Sequence, residues 1–315
     1  MQAIQINAFG GPEQMALVAL PTPEPGASDL LVRVVAAGVN PIDWKIRSGA
    51  MAQAIGRPLP VTLGWAASGT VVGVGAEVGG FAPGDEVCFY AEFARGGCYA
   101  EYVTVNALQV ALKPRGLSFV QAAALPMSGQ AAWTSLIEVA ALQPGMRVLI
   151  HGAGGALGRV AVQLAHRAGA QVCATASADQ IDEVRRLGAD TVIDHRRERF
   201  EERFKDLDVV LDTVGGETQE ASWSTLKAGG LLVATATPPP PDKASALGLR
   251  SAFVFTRPDG RSLTALAQLA DNGQLEVNVG QELPLADAAQ AHRIGQTGQA
   301  RAKTVLRVAS PLAAS

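Results

Sequence analysis

The stretch VLIHGAGGALGRVAVQLAHRAGAQVCATAS, residues 148–177, limits the fold more than any other part of the chain. An apolar run enters a glycine-rich turn, where Gly152, Gly155 and Gly158 follow one another at intervals of three. Leu157, Val160, Ala161, Leu164, Ala165 and Ala168 then recur at helical spacing, and Gly169 stands where a helix would end. A second apolar run occupies 171–176. Two strands joined through a helix pair in parallel, so the segment predicts a βαβ unit. Ala153, Gly155 and Gly158 make the GxGxxG pattern with alanine in first place. Small residues there allow a tight bend, a close backbone approach to a pyrophosphate, and helix packed hard on sheet. A dinucleotide is the expected ligand.

The alternation continues down the chain. Its spacing predicts strands at 147–151, 171–176, 191–194, 208–212 and 230–235, with helices at 156–168, 178–187, 197–204 and 217–227 between them. SAFVF (251–255) reads as one more strand, last in the order and therefore at an edge. Strands alternating with crossover helices predict a doubly wound parallel sheet in an α/β fold. The prolines of TPPPPDKASALGLR (237–250) predict an extended loop before that last strand. Residues 1–118 are β-rich instead, with runs at 30–39, 69–75, 85–90 and 100–105 between Gly, Pro and Asp turns. An alanine-rich helical segment spans 116–142. Helices near 260–272 and 286–295 lead to a final strand at 303–308.

Charge and cysteine usage exclude several classes. The formal net charge of −3 over 315 residues offers no field for nucleic acid or an anionic membrane. No uninterrupted apolar run approaches the roughly 20 residues of a membrane span. The first residues, MQAIQINAFGGPE, lack the layout of a signal peptide, so the cytoplasm is the expected compartment. Cys88, Cys98 and Cys173 form no CxxC pair, and the histidines show no ligand spacing. Neither a disulfide framework nor a metal site is expected.

The second strand ends CATAS. An acid at its end would bind the ribose of NAD and repel the 2′-phosphate of NADP, but Ala176 stands there. Ser177 can cap the next helix, with Gln180 completing a capping box, or can meet a phosphate. Asp179 is the rival ribose ligand, and HRRERFEER (195–203) places His195, Arg196 and Arg197 just after the third strand. NADPH is the expected cofactor. Its candidate contacts are Gly152, Ala153, Gly154, Gly155, Ala156, Leu157, Gly158, Ala176, Ser177 and His195, with Val214, Gly215, Phe253 and Phe255 further on.

At this point the chain resembles the medium-chain dehydrogenase/reductase superfamily, in its zinc-free NADPH:quinone oxidoreductase branch. The matching segments include AAGVNPIDWKIRSG (36–49), LGWAASGTVVGVG (63–75), GGCYAEYVTV (96–105), HGAGGALGRVAVQLA (151–165) and DVVLDTVGGE (208–217), in family order. The resemblance implies a GroES-like catalytic domain in two parts, 1–118 and 258–315, around an inserted Rossmann domain at 119–257. It also implies an active site in the cleft between them and a homodimer joined through nucleotide-domain edges. Zinc alcohol dehydrogenases carry a cysteine ligand where this chain has AGVNPID, and Gly-His-Glu where it has Gly64, Trp65 and Ala66.

Without a Lewis acid such an enzyme suits an acceptor that is already electrophilic, a small-molecule quinone or enone. Asn40, and more weakly Lys45, are candidate donors to the developing oxyanion. Asp43 braces their loop, and Trp44 and Trp65 are candidate walls of the acceptor pocket. Tyr99 and Tyr102 alternate as on a strand and read as structural. Two alternatives stay open: a reductase of enoyl thioesters or other C=C bonds, and a non-catalytic NADPH-binding protein.

Overall fold

The computed structural model describes residues 1–298 and 302–310. By contact the chain divides into two units. One comprises Met1–Met127 with the described residues from Arg257 on, and the other is Ser128–Thr256.

The second unit is a six-stranded sheet. Its order is Thr191–Asp194, Gln171–Ala176, Arg147–Ile150, Leu207–Asp212, Leu226–Ala234, Arg250–Phe253, and every pair is parallel. Helix Ala156–Arg167 buries Val160, Ala161, Leu164 and Ala165, the apolar face foreseen from their spacing. The other crossover helices are shorter than expected: Ile181–Arg186, Phe200–Arg203 and Glu217–Ser222. The proline-rich segment is not wholly extended. Pro241–Ala246 is a helix, because a proline in the first turn gives up an N–H that has no partner there anyway. Its Ala244 packs with Trp223, Leu232 and Ala234, so the segment covers a face of the sheet.

The first unit is β-rich. Strands Val279–Pro284, Lys303–Arg307, Asp29–Gly38, Ala66–Val74, Glu86–Tyr90 and Val110–Leu112 lie in that order, and Tyr102–Asn106 also pairs with Asp29–Gly38. A smaller sheet holds Met15–Ala19, Gln2–Ile6 and Val61–Thr62. Strand Val279–Pro284 was not foreseen; its residues are partly buried or exposed, so no apolar pattern marks it. Helix Phe119–Ala124 belongs here by its contacts. Ser118 and Gln121 cap it reciprocally, and Ser68 Oγ donates to the Phe119 carbonyl at 2.5 Å. The contact boundary therefore lies beyond the change of character at 118. Leu30, Val32, Val34, Trp65, Phe89 and Leu306 belong to the core of this unit. Among the described residues no helix is long and apolar enough to cross a membrane.

Candidate active site

Strand Arg147–Ile150 leads into the turn at 151–155, and the turn into helix Ala156–Arg167. Gly152 takes φ +65°, which strains any residue with a Cβ. At Gly158 a Cβ would strike the Gly152 carbonyl oxygen and come within 2.6 Å of Ala153 Cα, so helix and loop can close only on glycine. Gly155 is different. It is the exposed N-cap of the helix, and a Cβ there would meet only Gly152 O at 3.3 Å. First-turn N–H groups have no intrahelical partner, so exposed Gly155, beside Ala156 and Leu157, offers a cradle for an anion. Gly154 is closed off. Its carbonyl accepts from Arg159 Nε at 2.9 Å and Gln180 Nε2 at 3.3 Å, and Arg159 continues to Glu183 at 2.8 Å.

The first strand, Arg147–Ile150, lies between the second and the fourth, so the strand order reverses beside the glycine turn. Crevices at such reversals, off the carboxyl ends of the strands, are where these sheets take ligands. The turn after the fourth strand abuts the glycine turn there. A Cβ on Gly152 would meet Thr213 Oγ1 at 2.6 Å and Val214 Cγ2 at 3.5 Å. Asp212, fully buried, shapes that second turn: Oδ1 accepts from the N–H groups of Val214 (2.9 Å) and Gly215 (2.8 Å). Val214 is left 53% exposed at the rim. Beneath the turn His151 lies between Thr175 Oγ1 (3.1 Å) and Ser222 Oγ (3.0 Å), and burial pulls its pKa down to about 4.

Ala176 ends the second strand, buried and opposite Asp194 in register, and its carbonyl accepts from the exposed His195 at 3.2 Å. Asp194 is turned inward to the Arg196 N–H at 3.0 Å and to Arg197 at 3.5 Å. The capping box expected from Ser177 and Gln180 does not form. Residues Ala178–Gln180 make a 3-10 turn, Ser177 makes no cap bond, and Gln180 reaches back to Gly154. Phe253 and Phe255, 40% and 46% exposed, stand at the carboxyl end of the edge strand. A dinucleotide fits this rim: a cradle that a Cβ at 155 would narrow, and a strand end at 176 without an acid.

In the β-rich unit, helix Pro41–Arg47 presents the other candidates. Asn40 is buried. Its backbone N–H donates to Asp43 Oδ2 (2.8 Å), its Nδ2 donates to the Gly38 carbonyl (2.9 Å), and its Oδ1 accepts from Lys303 Nζ. Asp43 is fully buried as well. Oδ2 also accepts from the Tyr99 hydroxyl at 2.7 Å, while Oδ1 has no partner among the described residues. Burial raises the Asp43 pKa to about 7, against the Tyr99 and Asn40 hydrogen bonds and the Lys303 charge.

Tyr99 does not share a strand with Tyr102, which begins one. Its hydroxyl lies 3.3 Å from His292 Nε2, and His292 Nδ1 lies 3.4 Å from Arg47 Nη1. Trp44 packs edge-on to His292, at 6.1 Å between centroids. Trp65 is enclosed in the core with its Nε1 donating to Phe93 O at 3.2 Å, and it offers no face to a ligand. Lys303, His292 and Arg47 were missed by sequence reasoning. For His292 a signal existed, since it shares the buried stripe of its helix with Ala288 and Ala291. For Lys303, heading an apolar strand, there was none.

Comparison with known proteins finds relatives over nearly the whole chain. The alcohol dehydrogenase GroES-like domain family matches residues 26–115, and the zinc-binding dehydrogenase family matches 187–306. Human NAD(P)H oxidoreductase RTN4IP1, mitochondrial, is 33% identical over 89% of this chain and 82% of its own. The NADPH-dependent alkenal/one oxidoreductase, chloroplastic, of Arabidopsis thaliana is 33% identical over 97% of this chain and 79% of its own. Escherichia coli quinone oxidoreductase, solved in complex with NADPH, superposes with a TM-score of 0.88 at 29% identity, covering 98% of this chain and all of that one.

Proposed function

The chain belongs to the medium-chain dehydrogenase/reductase family, in its quinone oxidoreductase branch, and from that premise we propose that it is an NADPH-dependent reductase of quinones or enones that needs no metal. The observation that carries the reading is the exposed glycine N-cap at Gly155 together with Ala176, rather than an acid, at the end of the second strand. Gly155 and the start of helix Ala156–Arg167 would hold the pyrophosphate, and Ala176, Ser177 and His195 would flank the adenosine ribose. Val214 and Gly215, set by Asp212, would border the nicotinamide end. When bound, NADPH supplies a hydride to the acceptor, whose oxygen takes up the displaced electron pair and then a proton from water.

In the β-rich unit Asn40 offers the acceptor a hydrogen-bond donor. Gly38 takes one of its two Nδ2 hydrogens, and the second would serve the developing oxyanion. Asp43 braces the loop. NADPH oxidation against a panel of quinones, enones and enoyl thioesters tests the reading. Turnover with quinones or enones is expected, and no turnover with any acceptor would leave a non-catalytic NADPH-binding protein. A second reading, reduction of a C=C bond, is favoured by the alkenal/one oxidoreductase relative.

The protein acts as a homodimer in this proposal. Supporting it, strand Arg250–Phe253 is an edge of its sheet with Phe253 and Phe255 exposed beside it. A self-complementary pairing of two such edges would cover both. Three buried cysteines that are all free thiols support a reducing, cytoplasmic setting.

A further inference from the structure

Lys303 is 4% exposed, and charged side chains are rarely buried so far without a purpose. It heads the strand Lys303–Arg307, which pairs antiparallel with Asp29–Gly38, and the Val39 N–H donates to Thr304 O at 2.9 Å. That pairing brings Lys303 beside the start of the Asn40 loop. A Cβ on Gly38 would meet Lys303 Cε at 3.4 Å, so the lysine stem runs alongside that glycine.

The neighbours of Asn40 leave its amide one orientation. An ammonium can only donate, so Lys303 must face the amide oxygen. A backbone carbonyl can only accept, so Gly38 must face the amide nitrogen. Turning the amide over would set NH2 against the ammonium and oxygen against oxygen. Asp43 holds the same residue by its backbone N–H.

We propose that Lys303 is a positioning residue for the reduction, acting through Asn40: its ammonium locks the amide so that the second Nδ2 hydrogen stays available to the acceptor's oxyanion. This rests on the reductase reading above. Burial draws the Lys303 pKa down, and the Asp43 charge opposes the fall.

Four proteins test it: the parent, Lys303→Met, Asn40→Ala and the double variant. Loss of a transition-state donor lowers kcat and leaves KM nearly unchanged, so each single variant is expected to lose about tenfold or more in kcat with KM within about twofold. The double variant should be no slower than the slower single one. Losses that multiply would overturn the proposal, because Lys303 would then act independently of Asn40.

Thermal unfolding of the same four cofactor-free proteins is a second readout, with non-additive losses expected and additive ones again overturning it. A parent with no reductase activity would reject the reading of function, whereas an active parent with additive variants rejects only the role of Lys303.

Discussion

Tyr99 donates its hydroxyl hydrogen to Oδ2 of Asp43 at 2.7 Å, and the direction of that bond is set from Arg47. A guanidinium only donates, so Nδ1 of His292 must accept from it. The proton of His292 then sits on Nε2 and points at the Tyr99 oxygen, leaving the hydroxyl hydrogen for Asp43. His292 is accordingly neutral, its pKa drawn down to about 3 by burial and then by the Arg47 charge. The carboxylate is thus divided: Oδ2 accepts two hydrogens, and Oδ1 can be protonated without breaking either bond.

That division predicts a pH dependence of stability. A pKa raised to about 7 means that the folded protein binds this proton more tightly than the unfolded chain. The contribution is full below the ordinary carboxylate value of 3.8 and is lost as pH rises through about 7. Asp43→Asn keeps an oxygen for Asn40 and Tyr99 and removes the buried charge facing Lys303. Melting curves at about pH 5 and about pH 8 should show the parent losing stability relative to the variant on the alkaline side. An unchanged difference would refute it.

Cofactor choice depends on the second strand end. With Ala176 there, NADPH should bind at least ~10-fold more tightly than NADH, about 1.4 kcal/mol. Ala176→Asp would set an anion against the 2′-phosphate and should erase the preference. Fluorescence titration of both reduced cofactors decides it, and equal affinities in the parent would sink the idea.

The glycines of the turn should separate fold from binding. Gly158→Ala drives a Cβ into the Gly152 carbonyl and should cost about 1–3 kcal/mol in denaturant unfolding of the cofactor-free protein. Gly155→Ala meets only one atom, at 3.3 Å. It should cost less in unfolding than Gly158→Ala yet weaken NADPH, because its methyl group enters the cradle. The reverse pattern would move the pyrophosphate elsewhere.

Assembly can be tested at one N–H. The Val254 N–H is already bonded inward, to Ala234 O at 2.9 Å, so by alternation the Phe253 N–H points outward from the edge. Light scattering at micromolar concentration should give twice the 32.6 kDa chain mass for the parent and a loss of that species for Phe253→Pro. A parent of single-chain mass would refute the dimer.

Metal content is the last prediction. Asn40 is committed to Gly38, Asp43 and Lys303, and the Trp65 ring is enclosed in the core, so neither position offers a ligand. Elemental analysis should find no stoichiometric zinc, and chelators should leave turnover unchanged. One zinc per chain required for activity would overturn this.

The sequence by itself determined the parallel sheet, the glycine turn before its first crossover helix and the strand that ends at the edge. These are local: apolar period, glycine spacing and strand order are all written within a few tens of residues. It also marked Asp43 as the brace of its loop, but not the helix Pro41–Arg47 whose start lets Asp43 bond back to the Asn40 N–H.

The helix Pro241–Ala246 escaped because proline reads as a breaker unless its position in the first turn is known. Gln180 escaped because its partner, Gly154, lies across a crossover. Only tertiary structure could decide what surrounds Asn40. Lys303 is 263 residues away from it, and His292 lies 193 residues from Tyr99. A charge or an imidazole on a terminal segment carries no local sign of the buried partner it will meet. Burial without that partner is what physics forbids, and the partner is chosen by the fold.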